Sequence, residues 1–276
     1  MHPLLFDLGE IRLPLVGPVH LALPTYGVLV ATALLVGWFW VVRRARARGL
    51  DADRVSSVVF WAVLAGLVGG KLGLVAVELP HFVARPEELL SADFLRAAGV
   101  VWTAILGGLV GMVVSARRLG IAVADVVDLA AVPLPVAQAI GRLGCLAAGC
   151  CYGGVCSLPW AVTYHSPLAH ARTGVPLGVP LHPAPLYEAL GSLALVLPLA
   201  LFVDRRRAFP GEVGLAYLAG YSVLRFAVEF ARGDAIRGLW LGGRLSTSQI
   251  VSAAVLLVVV PLWVAGRRRA GATADP

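Results

Sequence analysis

Apolar residues fill seven long stretches of the chain, and polar residues collect between them. A bilayer core about 30 Å thick needs about 20 mostly apolar residues per helix. We therefore predict seven transmembrane helices and an all-α integral membrane protein. The predicted spans are residues 22–42, 55–79, 98–116, 124–148, 186–203, 211–231 and 246–266.

Arginine clusters follow the first, third, fifth and seventh stretches, so they all fall on one side of the membrane. Because Lys and Arg favour the cytoplasmic side, the pattern predicts an N-terminus outside and a C-terminus in the cytoplasm. The clusters are Arg43, Arg44, Arg46, Arg48 and Arg54, then Arg117 and Arg118, then Arg205, Arg206 and Arg207, then Arg267, Arg268 and Arg269.

The longest connection, at about residues 149–185, faces outward in this topology. Its Gly, Pro, Ser and His residues predict an ordered loop with turns or a short hairpin rather than another span. No repeat of fixed period and no low-complexity linker is found, which predicts one integral domain over residues 1–276. The first residues lack the pattern of a removable signal peptide, and we predict none.

Composition agrees with this class, since 59% of the 276 residues are hydrophobic, 14% are charged and the mean hydropathy is +0.83. A water-soluble domain is excluded by that balance. The net charge of +7 is explained by anionic lipid headgroups and by topology, so we expect a lipid bilayer as partner and no nucleic acid.

Ionisable side chains inside spans cost about 2.5–3.5 kcal/mol each, so each needs a partner or a function. Arg225 and Glu229 are four residues apart and are expected to pair along one helix. Arg142 has no acid three or four residues away, so its anion must lie in another helix or in a ligand. These two arginines, near the outward ends of their spans, predict a pocket for a lipid phosphate. Structural scaffolding is the alternative.

Small residues recur in three of the spans and permit close approach of neighbouring helices. This spacing is common in ordinary membrane packing, and beside the arginines it also favours a pocket. The glycines are Gly69, Gly70, Gly73, Gly107, Gly108, Gly111, Gly141 and Gly144.

Four cysteines, Cys145, Cys150, Cys151 and Cys156, lie at the predicted outer surface, where disulfides are permitted. A bridge that attaches the loop to the fourth helix is the leading interpretation, and three connectivities are possible. Metal sites usually show two separated Cys-x-x-Cys pairs, so we predict no metal. A reactive thiol or inert apolar packing remains the alternative.

Several motifs, taken in their order, resemble the prolipoprotein diacylglyceryl transferase family, whose members move diacylglycerol from phosphatidylglycerol onto a lipoprotein precursor. They are LPTYGVLV, ILGGLVG, GRLGC, HPAPLYEALG, YSVLRFAVEFARGD and LSTSQIVS. The resemblance implies seven helices in the bacterial inner membrane, an active site open to the periplasm, phosphatidylglycerol and lipobox-containing prolipoproteins as substrates, and no cofactor. We expect a monomer.

The resemblance also implies roles for individual residues. Catalytic roles fall to Arg142, Arg225, Tyr221 and Tyr26. Phosphatidylglycerol binding falls to Arg142, Arg225, Glu229, Gly107, Gly108 and Gly153.

The chain departs from the family pattern at several positions. Leu106 stands where the family has a histidine, a proposed general base. Cys145 and Ala148 stand at two signature asparagine positions and Cys150 at a signature glutamate position. Pro185 replaces a family glutamine. Nearby guanidinium groups favour the thiolate form of an incoming cysteine and stabilise a leaving phosphate.

If a separate base is needed, His182 is the first candidate, ahead of His165, His170 and the phenols of Tyr26 and Tyr221. The primary functional prediction is the diacylglyceryl transferase. A membrane thiol oxidoreductase or another lipid-dependent transferase that uses the cysteine cluster is the alternative, and a carrier or channel is a third class.

Overall fold

A computed structural model describes residues 3–13, 17–91, 94, 97, 99–234 and 238–272. It divides into two compact units: Met1–Gly37 with Ala130–Pro276, which we call the terminal unit, and Trp38–Leu129, which we call the inserted unit. The single domain expected from the sequence stays a prediction.

The described residues are mostly helical. Six of the described helices, two of them with short extensions, are long and apolar enough to span a membrane, and a bent pair, Val123–Ala131 with Leu134–Ala148, makes a seventh if it is one span. The prediction of an all-α membrane protein is thereby confirmed, with six or seven candidate spans among the described residues, whereas the sidedness of the termini stays a prediction. The helices are α1 Thr25–Ala47, α2 Ala52–Val77, α3 Leu79–Ala84, α4 Val101–Arg118, α5 Val123–Ala131, α6 Leu134–Ala148, α7 Pro167–Thr173, α8 Ala184–Pro198, α9 Glu212–Val228 and α10 Thr247–Ala272.

The fourth predicted span is two helices rather than one. Between them lie Val132 and Pro133, and Pro135 follows within the first turn of α6. Proline lacks an N–H and clashes with the preceding turn, so a continuous helix cannot pass through this segment undisturbed.

Short antiparallel strand pairs complete the described fold. Strand β1 Leu4–Leu13 pairs with β2 Gly17–Pro24, an N-terminal hairpin that the sequence analysis missed. Strand β3 Val162–Thr163 pairs with β4 Pro180–Leu181, with α7 between them, which confirms an ordered loop with a short strand pair rather than another span, whereas its outward position stays a prediction. Strands β5 Leu239–Trp240 and β6 Leu245–Ser246 precede α10.

In the inserted unit, helices α2 and α4 are in backbone contact. A Cβ atom added to Gly69 would lie 2.5 Å from the carbonyl oxygen of Thr103, and one added to Gly107 would lie 2.4 Å from that of Ala65. The close approach predicted from these glycines is confirmed. A Cβ at Gly108 would meet its nearest atom at 3.4 Å, an ordinary contact.

Lys71, the lysine inside the second span, is satisfied within the same unit. Its Nζ donates to the carbonyl oxygens of Phe94 and Ala97, the latter at 2.6 Å, and lies 4.8 Å from the centre of the Phe94 ring. These contacts offset part of the cost of placing a cation at this depth.

In the terminal unit, α6 packs on α8, α8 on α9, and α9 on α10. Glycines on both helices allow the contact between α8 and α9, since a Cβ at Gly191 would meet Leu224 at 2.2 Å and one at Gly220 would meet Leu195 at 2.9 Å. This connected group of four helices carries most of the residues discussed below.

Candidate active site

The carboxylate of Glu188 joins three helices of the terminal unit. Arg142, on α6, places Nη2 2.7 Å from Oε1 of Glu188, on α8. The hydroxyl of Tyr221, on α9, donates to the same oxygen at 2.6 Å. Because only 3% of Glu188 is exposed, the pair lies largely out of water. The anion that Arg142 requires is therefore supplied by another helix.

Arg225 lies one turn after Tyr221 on α9 and makes the predicted pair with Glu229. Its Nη1 is 2.6 Å from Oε2 of Glu229, and its Nη2 donates to the hydroxyl of Ser248 at 2.8 Å. Both partners of the ion pair are buried. The Arg225 contacts therefore tie α9 to the start of α10.

A third arginine, Arg232, adjoins these groups. It makes a two-bond contact with Asp234, including Nε to Oδ1 at 2.8 Å, and its Nη1 is 4.0 Å from Glu229. Each of the three arginines thus has a carboxylate partner. A guanidinium carries five N–H donors, so one carboxylate leaves donors for a further anion.

Three thiols converge where α6 ends. Gly149 closes the helix in the left-handed conformation at φ +80°, and its N–H and that of Cys150 both donate to the carbonyl oxygen of Cys145. Cys151 is also left-handed, at φ 58°, which is uncommon for a residue with a Cβ. The chain therefore turns back, and the Sγ atoms of Cys145, Cys150 and Cys151 lie within 4.8 Å of one another.

The structure has all four cysteines as free thiols, and Cys156 is not part of the converging group. The disulfide favoured by the sequence analysis stays a prediction. Hydrogen bonds from the other two thiols lower the pKa of Cys151, helped by the positive charges of Arg142 and Arg232. Hydrogen bonds with Cys145 and Cys151, together with burial, raise the pKa of Cys150. We name the group Cys145, Cys150 and Cys151 the thiol cluster.

Arg142 contacts the thiol cluster as well as Glu188. Its Nη1 lies 3.7 Å from Sγ of Cys151 and 4.0 Å from Sγ of Cys145. One guanidinium therefore joins the buried carboxylate to the thiols.

The loop between α6 and α8 holds the turn that follows α6. The hydroxyl of Tyr164 donates to the carbonyl oxygen of Leu146 at 3.1 Å, and that of Thr173 to the carbonyl oxygen of Gly149 at 3.1 Å. A Cβ at Gly149 would meet Val175 at 3.1 Å. Tyr164 and Val175 belong to the buried core of the loop, so the loop core supports the backbone that carries the thiols.

Gly153 is required by close backbone packing. Its N–H donates to the carbonyl oxygen of His182 at 3.1 Å, and that of Gly154 to the carbonyl oxygen of Ala231 at 2.9 Å. A Cβ at Gly153 would lie 2.4 Å from that His182 oxygen and 2.7 Å from that of Ala231. This contact fixes the backbone beside Arg232, and the binding role implied for Gly153 stays a prediction.

The histidine that we ranked first as a base is engaged with aromatic residues. Nδ1 of His182 lies 3.2 Å from the hydroxyl of Tyr187, which accepts a hydrogen bond from Nε1 of Trp160 at 2.7 Å. Nδ1 of His170 contacts the carbonyl oxygen of Val175 at 2.9 Å, within the loop core. Neither contact tests catalysis, so the role of His182 stays a prediction.

Tyr26, near the start of α1, lies beside the thiol cluster. A Cβ at Gly144 would be 3.2 Å from the Tyr26 ring, and the phenol is within electrostatic range of the three thiols and Arg142. It is 37% exposed. Of the residues implied by the resemblance, Arg142 and Tyr221 therefore share Glu188, and Tyr26 lies next to Gly144 on the helix that carries Arg142.

Leu106, Gly107 and Gly108 belong to the inserted unit. Leu106 is exposed, and Gly107 packs against α2. The contacts of Gly107 explain a packing role, and the substrate-binding roles implied for Gly107 and Gly108 stay predictions.

Comparison with known proteins gives consistent results. The profile of the family described as prolipoprotein diacylglyceryl transferase matches residues 14–265. The phosphatidylglycerol–prolipoprotein diacylglyceryl transferase of Clostridium tetani is 30% identical over 259 residues, 94% of this chain and 95% of that protein. The protein of the same name from Synechococcus elongatus is 30% identical, and the match covers 92% of this chain and 87% of that protein. The protein of the same name from Frankia alni is 34% identical, and the match covers 88% of this chain and 66% of that protein. No match among these names favours a thiol oxidoreductase.

Proposed function

Because the chain belongs to the prolipoprotein diacylglyceryl transferase family, we propose that it transfers the diacylglyceryl group of phosphatidylglycerol to the lipobox cysteine of a prolipoprotein. The reaction forms a thioether and releases glycerol phosphate, as the first step of lipoprotein maturation. We place the enzyme in the bacterial inner membrane, with its N-terminus and active site on the periplasmic side, as the arginine clusters favour.

The observation that carries this proposal is the setting of Arg142. Its guanidinium is held by a buried carboxylate on another helix, and it still has N–H donors for a phosphate oxygen. In a site shielded from water, such a donor stabilises the charge that grows on the leaving phosphate as the glycerol C–O bond breaks.

Arg225 and Tyr221 support the same reaction from α9. They are one turn apart on one helix face, and Tyr221 shares Glu188 with Arg142. A phosphate bound to Arg142 therefore lies toward the face of α9 that carries Arg225. Two guanidinium groups from different helices would orient the phosphodiester for in-line displacement.

The test uses the full chain in lipid nanodiscs with phosphatidylglycerol and a peptide that carries a lipobox cysteine. Mass spectrometry should detect a diacylglyceryl adduct on the peptide, and phosphatidylcholine in place of phosphatidylglycerol should give none. Absence of the adduct from a folded, monodisperse preparation would contradict the proposal.

Substitutions then test the residue assignment. Arg142→Ala and Arg225→Ala should each lower turnover by at least ~100-fold, the usual cost of removing one donor to a developing anion. Arg118→Ala is the matched control, because Arg118 is an exposed arginine in the last turn of α4. Normal turnover in both site variants would remove the phosphate assignment.

A further inference from the structure

The thiol cluster has a donor set that the transferase chemistry outlined above does not use. We propose that Cys145, Cys150 and Cys151 bind one Zn²⁺ ion, and that its fourth coordination position takes the lipobox cysteine of the prolipoprotein. This inference rests on the proposed function, because it assigns the site a role in activating that substrate.

The geometry fits a zinc ion. The three Sγ atoms lie within 4.8 Å of one another. Tetrahedral zinc with Zn–S bonds of about 2.3 Å places its sulfurs about 3.8 Å apart, so small side-chain rotations complete the site. The left-handed turn at Gly149 and Cys151 brings the thiols together, and hydrogen bonds to the carbonyl of Cys145 fix that turn.

The number and type of ligands also point to an open site. Three thiolates are a soft donor set that selects zinc over the hard cations. Structural zinc sites are closed by four protein ligands, whereas catalytic sites keep three and leave one position for substrate. Cys145 is buried and Cys150 and Cys151 are partly exposed, so the cluster is accessible from one side.

Neighbouring charges suit a site of this kind. Three thiolates and Zn²⁺ carry a net charge of −1, and the guanidinium of Arg142 lies in contact with two of the three sulfurs. Arg142 is 3.7 Å from Sγ of Cys151 and 2.7 Å from Glu188. The metal would therefore lie next to the guanidinium that we assign to the phosphate, which places the nucleophile beside the leaving group.

The chemical step balances without an oxidant or reductant. When the substrate thiol coordinates zinc, its S–H proton passes to water. The zinc-bound thiolate attacks the glycerol carbon, an S–C bond forms, and the C–O bond breaks with its electron pair going to the phosphate oxygen. Glycerol phosphate leaves. The thioether is a weaker ligand than a thiolate, so the product dissociates and zinc, still Zn²⁺, is available again.

The first measurement is metal content of the full chain purified under reducing conditions in nanodiscs and given Zn²⁺. Wild type should retain about one zinc per chain, and Cys145→Ser, Cys150→Ser and Cys151→Ser should each fall to background. Cys156→Ser is the matched control and should retain the metal. Gel filtration checks that each variant is folded. Reduced wild type that retains no zinc, or thiols that pair as a disulfide under these conditions, would overturn the inference.

The second measurement asks whether the metal takes the substrate. Protein loaded with Co²⁺ in place of zinc should show tetrahedral ligand-field bands, and a lipobox peptide should strengthen the sulfur-to-cobalt charge-transfer band. The same peptide with Ser in place of its Cys should leave the spectrum unchanged. An identical response to both peptides would refute coordination of the substrate sulfur.

Turnover separates this inference from the proposed function. At pH 7 a free thiol with a pKa of about 8.5 is only ~3% thiolate, and coordination makes it fully thiolate but somewhat less nucleophilic. Removing zinc with a chelator should therefore lower adduct formation by about tenfold, and zinc should restore it. Adduct formation that is unchanged by chelation overturns the inference and leaves the proposed function standing. If the chain binds zinc but forms no adduct either in the presence of zinc or after its removal, the proposed function and the substrate role of the metal are both overturned.

Discussion

Replacing Glu188 by glutamine tests the ion pair on which the site is built. Glutamine keeps an oxygen that can accept from Tyr221 and Arg142, but it removes the negative charge. Glu188 is 3% exposed and the Arg142 side chain 23% exposed. Removing one partner of a buried pair costs about 3–5 kcal/mol, because the other charge is left uncompensated. We expect the lower end, about 3 kcal/mol, since Arg142 keeps some contact with water and a neutral hydrogen bond.

For a chain of this size, 1 kcal/mol corresponds to about 2 °C in the unfolding midpoint, so Glu188→Gln should unfold about 6 °C lower. The midpoint is measured in phosphatidylcholine nanodiscs at one fixed scan rate, because membrane proteins often unfold irreversibly. Phosphatidylglycerol should stabilise the variant more than wild type, since its phosphate can replace the missing charge beside Arg142.

A double-mutant cycle decides whether the two charges are coupled. Arg142→Met removes the cation and keeps most of the apolar volume, so the double variant with Glu188→Gln has no isolated charge. It should recover about 2 kcal/mol relative to the sum of the single effects. Additive effects would refute the reasoning, and so would a Glu188→Gln unfolding midpoint within about 1 °C of the wild-type value.

Three further results are expected. Gly153→Ala should lose about 3 kcal/mol of stability, because its Cβ would lie 2.4 Å from a backbone carbonyl oxygen, whereas Gly154→Ala, with nothing within 4 Å, should change the unfolding midpoint little. Gly107→Ala should destabilise the packing of α2 and α4 by about 1–3 kcal/mol and Gly108→Ala by much less; equal midpoints would contradict the packing argument. Hydrogen bonds from His81 and Arg85 lower the pKa of Glu88, so this carboxylate stabilises the fold above its unfolded pKa of about 4.3 and stops doing so as the pH falls through its lower folded value. Thermal midpoints of Glu88→Gln should therefore depend less on pH between about 5 and 3 than those of wild type, and parallel curves would exclude the contribution.

Apolar stretches were enough to predict the membrane spans, because length and hydropathy are local properties of the sequence. The break in the fourth span was not predicted, although Pro133 and Pro135 stand inside that span and are the signal that would have revealed it. The N-terminal hairpin was not predicted, because strand pairing depends on register between two segments rather than on either segment alone.

For the site, the sequence indicated that Arg142 needs an anion outside its own helix, but it could not identify Glu188. Which carboxylate meets an arginine on another helix is decided by helix packing, not by spacing along the chain. The pair of Arg225 and Glu229 was predictable because it lies within one helix.

The cysteine spacing argued against a metal, since it lacks two separated Cys-x-x-Cys pairs. What the spacing does not reveal is the reversal after α6, where Gly149 and Cys151 take left-handed conformations. Glycine after an apolar helix is a common termination signal, but a left-handed cysteine has no sequence signature. The approach of Cys145 to the two later thiols could therefore be seen only in the structure.

The contact between α2 and α4 has a consequence for how lipid moves. Where Gly69 and Gly107 bring two backbones together, the gap is too narrow for even one added methyl group, and an acyl chain is wider than that. A phospholipid that diffuses laterally in the bilayer therefore cannot pass between α2 and α4 at this contact.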